Sequence, residues 1–157
     1  MRVLIVDDEP AMHESYRHAF RRPEGERSLS AMAAELFEEG DAGAAPVAPA
    51  AELELVHVSQ GLEAVAEVED AVRAGRPFAV AFIDVRMPPG IDGKETAQRI
   101  RAIDPDVSLV IVTGFSDFAP AEIFRAAGPA DKIFYIAKPF EAVEVVQTAT
   151  ALAHRWQ

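Results

Sequence analysis

The chain of 157 residues contains no cysteine, which excludes disulfide bonds and every metal site built on thiolate ligands. The absence also fits a reducing compartment, so we expect a cytoplasmic protein. Apolar runs long enough to cross a bilayer are lacking, and the first segment, MRVLIVDDEP, reaches two aspartates too early for a secretory signal. The sequence therefore predicts a soluble protein.

Basic side chains are few: 15 lysines and arginines stand against 26 aspartates and glutamates, and the net charge is −11. This balance opposes contact with nucleic acid phosphates and with anionic lipid, so we expect neither nucleic acid nor membrane as a partner of this chain. Half of the residues are hydrophobic, enough for one ordinary core. We therefore predict a single domain over residues 1–157.

Five short segments rich in branched and aromatic apolar residues are predicted to be β-strands. Several are apolar at consecutive positions, which is typical of strands buried on both faces of a parallel sheet. The five segments are Val3 to Val6, Leu53 to Val58, Phe78 to Ile83, Leu109 to Val112 and Ile133 to Ala137.

Segments with helical spacing alternate with these strands. Pro10 can open the first helix, and the third should stop at Asp104 because the residue before a proline resists the α region. The predicted helices run from Pro10 to about Phe20, along Leu62, Val65, Val68 and Val72 to Gly75, along Thr96, Ile100 and Ile103, from about Pro120 to Gly128, and along Val143, Val146, Thr150 and Ala153. The alternation predicts an open, doubly wound parallel α/β sheet with helices on both faces.

One connection is far longer than such a fold needs. Arg21 to Ala51 separates the first helix from the second strand and is predicted to be an insertion. Its first part, Ser30 to Glu39, has the composition of a short amphipathic helix. Its second part, Asp41 to Ala51, is rich in alanine, proline and glycine and is typical of a flexible linker.

Polar side chains follow the predicted strands at their carboxyl ends, the edge where open parallel sheets bind ligands. They are Asp7, Asp8 and Glu9 after the first strand, Asp84 after the third, Thr113 after the fourth, and Lys138 with Pro139 after the fifth. The acids before Pro10 could instead serve only as a helix cap. Because polar residues follow four of the predicted strands at this same edge, a shared site is favoured.

Carboxylates gathered at one edge repel each other by ~4 kcal/mol per close pair in a partly buried site, so they need a counter-charge. An all-oxygen ligand set suits Mg²⁺, whereas zinc would find neither cysteine nor clustered histidine. Such a cation also coordinates phosphoryl oxygens, and phosphoryl transfer requires little beyond positioning and charge compensation. We therefore predict that Asp84 is the nucleophile, supported by Lys138 and Thr113.

Four motifs in this order, VLIVDDEP, AFIDVRMPPGIDG, VIVTGFSD and FYIAKPF, resemble the receiver domain of response regulators in two-component signalling. The resemblance covers almost the whole chain outside Arg21 to Ala51. It implies a flavodoxin-like five-stranded sheet in the order 2-1-3-4-5.

The resemblance also implies roles for individual residues. Asp84 would take a phosphoryl group from a phosphohistidine of a histidine kinase or phosphotransfer protein. Mg²⁺ would be bound by Asp8, Asp84 and the backbone carbonyl of Arg86, with Asp7 helping through water. Lys138 would contact the phosphoryl group across a Lys138-Pro139 bond that is commonly cis. Thr113 and Tyr135 would form the switch pair, although each can also be an ordinary strand residue.

The expected readout surface lies near Phe118 to Phe124, Tyr135 and Glu141 to Val145. The long insertion is similar to that of a subset of receivers that shares the motifs at Met87 to Gly93, Thr113 to Asp117 and Arg155-Trp156. In that subset the receiver often precedes output modules in a longer protein. We therefore expect a kinase partner, with an output domain and a phosphorylation-dependent dimer as open alternatives.

Three other functions remain open at this stage. A pseudo-receiver would bind partners without phosphate, a Mg²⁺-dependent phosphohydrolase would turn over esters, and a flavin binder would use a similar sheet. The adjacent acids Asp7-Asp8 differ from the Asp-x-Asp of the hydrolase family, so beyond its own phosphorylation and dephosphorylation we expect no enzyme activity. The four histidines, His13, His18, His57 and His154, are dispersed in the sequence and are interpreted as structural.

Overall fold

The computed structural model describes residues 1–21, 53–114, 125 and 127–156. Five strands form one parallel sheet in the order β2-β1-β3-β4-β5, as the resemblance implies. In chain order the elements are β1 (Arg2–Val6), α1 (Pro10–Phe20), β2 (Glu54–Val58), α2 (Gly61–Arg73), β3 (Val80–Asp84), α3 (Gly93–Ile103), β4 (Ser108–Thr113), a 3₁₀ turn (Ala130–Lys132), β5 (Ile133–Ala137) and α4 (Ala142–Trp156).

Several sequence predictions concern residues outside these ranges. They are the insertion beyond Arg21, its helix at Ser30 to Glu39, most of the helix from Pro120 to Gly128, and the surface at Phe118 to Phe124. They stay predictions.

The strands are buried on consecutive positions because helices cover both faces of the sheet. β3 is buried along its whole length, and β1 is buried from Val3 to Val6. One apolar layer packs between the sheet and α2 and α3, and the other between the sheet and α1 and α4. Because β1, β3 and β4 lie inside the sheet, their carboxyl ends are held by neighbours on either side.

Local sequence signals explain where the helices begin and end. Pro10 occupies the first turn of α1. The Asp92 side chain caps α3 by accepting a hydrogen bond from the N–H of Glu95 at 2.8 Å. The segment after α2 turns at Gly75, whose φ of 71° favours glycine. The helix ends at Pro10 and near Gly75 agree with the sequence predictions within two residues, whereas the start of α3 was not predicted.

The predicted apolar stripes of two helices are partly wrong. On α2, Leu62 and Val72 are 54% and 42% exposed, whereas the buried face consists of Gly61, Ala64, Val68 and Ala71. On α4, Val143 is 72% exposed, whereas Val145, Ala149, Leu152 and Ala153 are buried. On α2 the buried face consists mostly of small residues, which a pattern of bulky residues does not indicate. On α4 the buried face carries Val145 and Leu152 beside two alanines.

None of the helices in the described ranges combines the length and the apolar character that spanning a bilayer requires.

Candidate functional site

Three aspartates meet at the carboxyl edge of the sheet. Carboxylate oxygens of Asp7, Asp8 and Asp84 all lie within 4.8 Å of one another. Asp7 and Asp8 directly follow β1, Asp84 ends β3, and these two strands pair in parallel. Asp7 and Asp84 are buried and Asp8 is half-buried. Glu9, at the N-cap of α1, makes no side-chain capping hydrogen bond.

Lys138 joins this cluster from the loop after β5. Its Nζ lies 3.4 Å from Oδ2 of Asp7 and 3.3 Å from Oδ2 of Asp84. Burial alone would lower the pKa of Lys138, but the two carboxylates outweigh burial and raise it. The ammonium therefore stays charged and offsets part of the negative charge beside Asp84.

The surroundings of Asp84 shift its pKa. Burial raises its pKa from the usual 3.8 to about 6, and the nearby Asp7 adds to the rise, while Lys138 opposes it. Ionised Asp84 is thus destabilised without a second cation, even with the ammonium 3.3 Å away.

This shift predicts that Asp84→Asn stabilises the metal-free protein at neutral and higher pH. At about pH 3 the carboxyl is mostly protonated in both the folded and the unfolded chain, so the substitution should have little effect there. As the pH rises through about 6, native Asp84 must ionise against burial and Asp7, and wild-type stability falls relative to that of the variant.

Thermal unfolding of both proteins in a chelator, at about pH 3 and about pH 8, measures this difference. The melting temperature of Asp84→Asn should exceed that of wild type only at the higher pH, and saturating Mg²⁺ should reduce the gap. An equal gap at both pH values would contradict the assigned cause.

The loop between β3 and α3 returns close to the backbone of Asp84. The N–H of Gly93 donates to the carbonyl of Val85 at 2.8 Å. A Cβ at Gly93 would lie 2.7 Å from the Cα of Val85 and would overlap the carbonyl oxygen of Asp84. Glycine is therefore required here for close backbone contact.

Gly93→Ala should lower the free energy of unfolding by about 1–3 kcal/mol, because two backbone segments must separate to admit the methyl group. Urea unfolding monitored by circular dichroism measures the loss. Lys94→Ala, the next position on the same helix, serves as the control. Equal stabilities of the two variants would contradict the close contact.

The other predicted site residues surround the cluster. Thr113 ends β4, is half-buried, and its carbonyl accepts a hydrogen bond from the N–H of Lys138 at 2.7 Å. Tyr135 lies half-buried in β5 opposite Ile111, and burial raises the pKa of its hydroxyl. The Arg86 side chain is exposed in the loop after β3. The bond between Lys138 and Pro139 is cis.

Sequence reasoning missed three residues near the cluster. His13 and His57, interpreted as dispersed, lie together with their Nδ1 atoms 2.7 Å apart, and Nε2 of His13 lies 2.7 Å from the carbonyl oxygen of Asp7. Tyr16, buried on the same helix, packs its ring against Phe82 and against Phe140. The only signal in the sequence was the spacing of His13 and Tyr16, three residues apart on one face of α1.

The donors present fit a hard divalent cation such as Mg²⁺. All three side chains of the cluster offer carboxylate oxygens, which such cations prefer. Both oxygens of Asp7 already have partners, since Oδ1 accepts from the N–H of Glu9 at 2.9 Å and Oδ2 contacts Lys138. A cation would also oppose the rise in the pKa of Asp84 that burial and the Asp7 carboxylate cause.

Comparison with known proteins identifies the family. A family model described as "Response regulator receiver domain" matches residues 49–150, more than half of the chain. The matched range contains Asp84, Thr113 and Lys138, while Asp7 and Asp8 precede it.

Two curated relatives are response regulators or transcriptional regulators. Response regulator MprA from Mycobacterium avium (strain 104) is 29% identical over 155 residues, which is 99% of this chain and 52% of MprA. The C4-dicarboxylate transport transcriptional regulatory protein DctD from Rhizobium meliloti (strain 1021) is 40% identical over 70 residues, 45% of this chain and 14% of DctD. The chain thus spans about half of MprA and a smaller share of DctD.

Solved structures share the fold. A CheY-like response regulator receiver domain protein from Methanospirillum hungatei JF-1 superposes with a TM-score of 0.65 at 20% identity, covering 99% of this chain and 94% of that one. The receiver domain of NtrX from Brucella abortus gives a TM-score of 0.62 at 20% identity, covering 97% and 98%. The family match, the relatives and the fold agree: this chain belongs to the family of response regulator receiver domains of two-component systems.

Proposed function

We propose that Asp84 is the phosphoacceptor of this receiver domain and that the reaction depends on Mg²⁺. The observation that supports this most strongly is the position of Asp84. It is 7% exposed, lies within 4.8 Å of the carboxylates of Asp7 and Asp8, and has the Lys138 ammonium 3.3 Å from its Oδ2. This arrangement combines a nucleophile, a set of cation ligands and a fixed positive charge.

In the proposed reaction a carboxylate oxygen of Asp84 attacks the phosphorus of a phosphohistidine. The new O–P bond forms as the N–P bond breaks, and the electron pair of that bond returns to the imidazole nitrogen of the donor. Lys138 stabilises the charge on the transferred oxygens, because its Nζ already lies beside Asp84. The donor is a histidine kinase or a phosphotransfer protein.

Mg²⁺, when bound, neutralises the acids and coordinates the phosphoryl oxygens. Asp8, Asp84 and the backbone carbonyl of Arg86 would hold it directly. Asp7 would help through water, which agrees with the partners that both of its carboxylate oxygens already have. The chain's own catalysis is limited to its phosphorylation and dephosphorylation.

Switching would follow as a shift between two conformations. A phosphoryl group on Asp84 would draw the hydroxyl of Thr113, and the ring of Tyr135 would turn inward. The position of Thr113 supports this, since its backbone is hydrogen-bonded to Lys138 and therefore lies beside the site. Readout would include the start of α4, where Val143 is 72% exposed.

The chain would act as one receiver domain over residues 1–157, interrupted by the insertion at residues 21–51, in the cytoplasm. The partners would be the kinase and an output domain in a longer parent protein, as the greater lengths of MprA and DctD suggest. Phosphorylation-dependent dimerisation belongs to the same proposal.

Incubation with acetyl phosphate and Mg²⁺, followed by intact-mass measurement, tests the proposal. We expect one added phosphoryl mass in the presence of Mg²⁺ and none in a chelator. A chain that stays unmodified with acetyl phosphate and with a phosphorylated histidine kinase, Mg²⁺ being present throughout, would contradict it.

A further inference from the structure

His13 and His57 form a hydrogen-bonded pair behind the first aspartate of the acidic cluster. The two Nδ1 atoms lie 2.7 Å apart, and Nε2 of His13 lies 2.7 Å from the carbonyl oxygen of Asp7. His13 is buried on α1, and His57 is half-buried on β2 opposite Ile5 of β1. Two successive hydrogen bonds therefore connect β2, through His13 on α1, to the peptide unit that joins Asp7 to Asp8.

The protonation of His13 follows from its partners. A carbonyl oxygen can only accept a hydrogen bond, so Nε2 of His13 must carry a proton. Of the two facing Nδ1 atoms, one donates and the other accepts. Nε2 of His13 is thus the donor to Asp7 whether the ring is neutral or charged, and His57 fixes the orientation of that ring.

His57 is suited to this role because it stays neutral. Burial, together with the nearby His13 and Arg17, lowers the pKa of His57 to about 4 despite the opposing effect of Glu14. Neutral His57 always retains one ring nitrogen without a proton, so it can serve His13 as donor or as acceptor.

With the histidine pair, every polar atom of Asp7 has a partner. The N–H of Asp7 donates to the carbonyl of Val58 at 3.2 Å, Oδ1 of Asp7 accepts from the N–H of Glu9, and Oδ2 of Asp7 contacts Lys138. The remaining polar atom, the carbonyl oxygen, is held by His13. Rotation of this peptide unit would move the Cα of Asp8, and with it the carboxylate that faces Asp84.

We propose that His13, oriented by His57, is a positioning residue that holds the Asp7–Asp8 peptide so that the acidic cluster can bind a divalent cation. This inference rests on the proposed Mg²⁺ site and adds the residues that hold its ligands in place. His13 touches neither the cation nor the phosphoryl group and acts through the Asp7 carbonyl. Groups that orient metal ligands typically change metal affinity by about 10- to 100-fold when removed, and we expect the lower end here.

Long-range ¹H–¹⁵N spectra of the metal-free wild-type chain test the hydrogen-bond pattern directly. We expect a proton on Nε2 of His13, bonded to the Asp7 carbonyl. A His13 ring protonated only at Nδ1 would overturn the proposal, because such a ring cannot donate to that oxygen.

Calorimetric titration with Mg²⁺ alone tests the positioning role. His13→Leu should bind Mg²⁺ about tenfold more weakly than wild type. His13→Gln, which keeps an N–H donor, should recover part of the loss. His18→Leu, exposed on the same helix, should bind as wild type does. Should His13→Leu fail to fold, His57→Leu supplies the test, with an expected loss of a few fold.

The outcomes separate this inference from the proposed function. If wild type binds Mg²⁺ and folded His13→Leu or His57→Leu binds it equally well, the positioning role alone is overturned. Wild type that neither binds Mg²⁺ nor accepts a phosphoryl group would contradict the proposed function and the positioning role together.

Discussion

Asp84→Asn is expected to abolish phosphorylation by acetyl phosphate in the presence of Mg²⁺. The amide cannot form an acyl phosphate, and the substitution removes one of the two carboxylates that would hold the cation directly. Neighbouring Asp8 should not substitute, because the ammonium of Lys138 contacts Asp84 and Asp7. Intact-mass spectra should therefore show no phosphoryl adduct above that of a sample without donor.

Asp70→Asn is the matched control for this loss. Asp70 is an exposed aspartate in the last turn of α2, paired with Arg73 at 3.3 Å. It should be phosphorylated as wild type is. Undiminished phosphorylation of folded Asp84→Asn would exclude Asp84 as the sole acceptor.

Arg101→Met should have the largest effect on stability. The Arg101 guanidinium donates hydrogen bonds to five backbone carbonyls at the edge of the sheet opposite the acidic cluster. The acceptors are Ala127 at 3.0 Å, Asp104 at 3.4 Å, Pro105 at 3.0 Å, Val107 at 2.6 Å and Lys132 at 3.1 Å. One side chain thus joins the segment before β4 to the segment before β5.

Hydrogen bonds from a charged donor contribute about 1.5–3 kcal/mol each and do not add, so we expect a loss of about 3 kcal/mol in the free energy of unfolding. The melting temperature should fall by roughly 6–12 °C. Arg99→Met removes an exposed arginine of the same helix, paired with Glu95 at 2.8 Å, and should cost less than about 1 kcal/mol. Comparable losses in both variants would contradict this account of Arg101.

The edge where the acids meet was predictable from sequence for a physical reason. Carboxyl ends of parallel strands share one edge, so polar residues that end buried apolar runs must come together there. Asp84 ends β3, whose five residues are all buried, and Asp7 follows the buried residues of β1. The apolar pattern and the parallel arrangement of the strands are enough to predict that these aspartates lie at one edge.

The supporting contacts were not predictable in the same way. His13 and His57 are separated by 44 positions in sequence, and neither strand nor helix periodicity indicates that their rings face each other. From the sequence, Arg101 cannot be distinguished from an ordinary surface arginine, because its acceptors are backbone carbonyls, which have no sequence signature. On α2 the contact face was misjudged because alanine contributes little to an apolar pattern, whereas on α4 the predicted stripe lies about one residue away from the buried Val145, Ala149 and Leu152.

The central claim is that Asp84 carries the phosphoryl group, and borohydride trapping tests it most directly. Borohydride reduces an acyl phosphate to an alcohol, so it converts a phosphorylated aspartate to homoserine. Peptide mass spectrometry after treatment with acetyl phosphate and Mg²⁺ should find homoserine at position 84 and aspartate at positions 7 and 8. Homoserine at position 7 or 8, with aspartate retained at 84, would contradict the account.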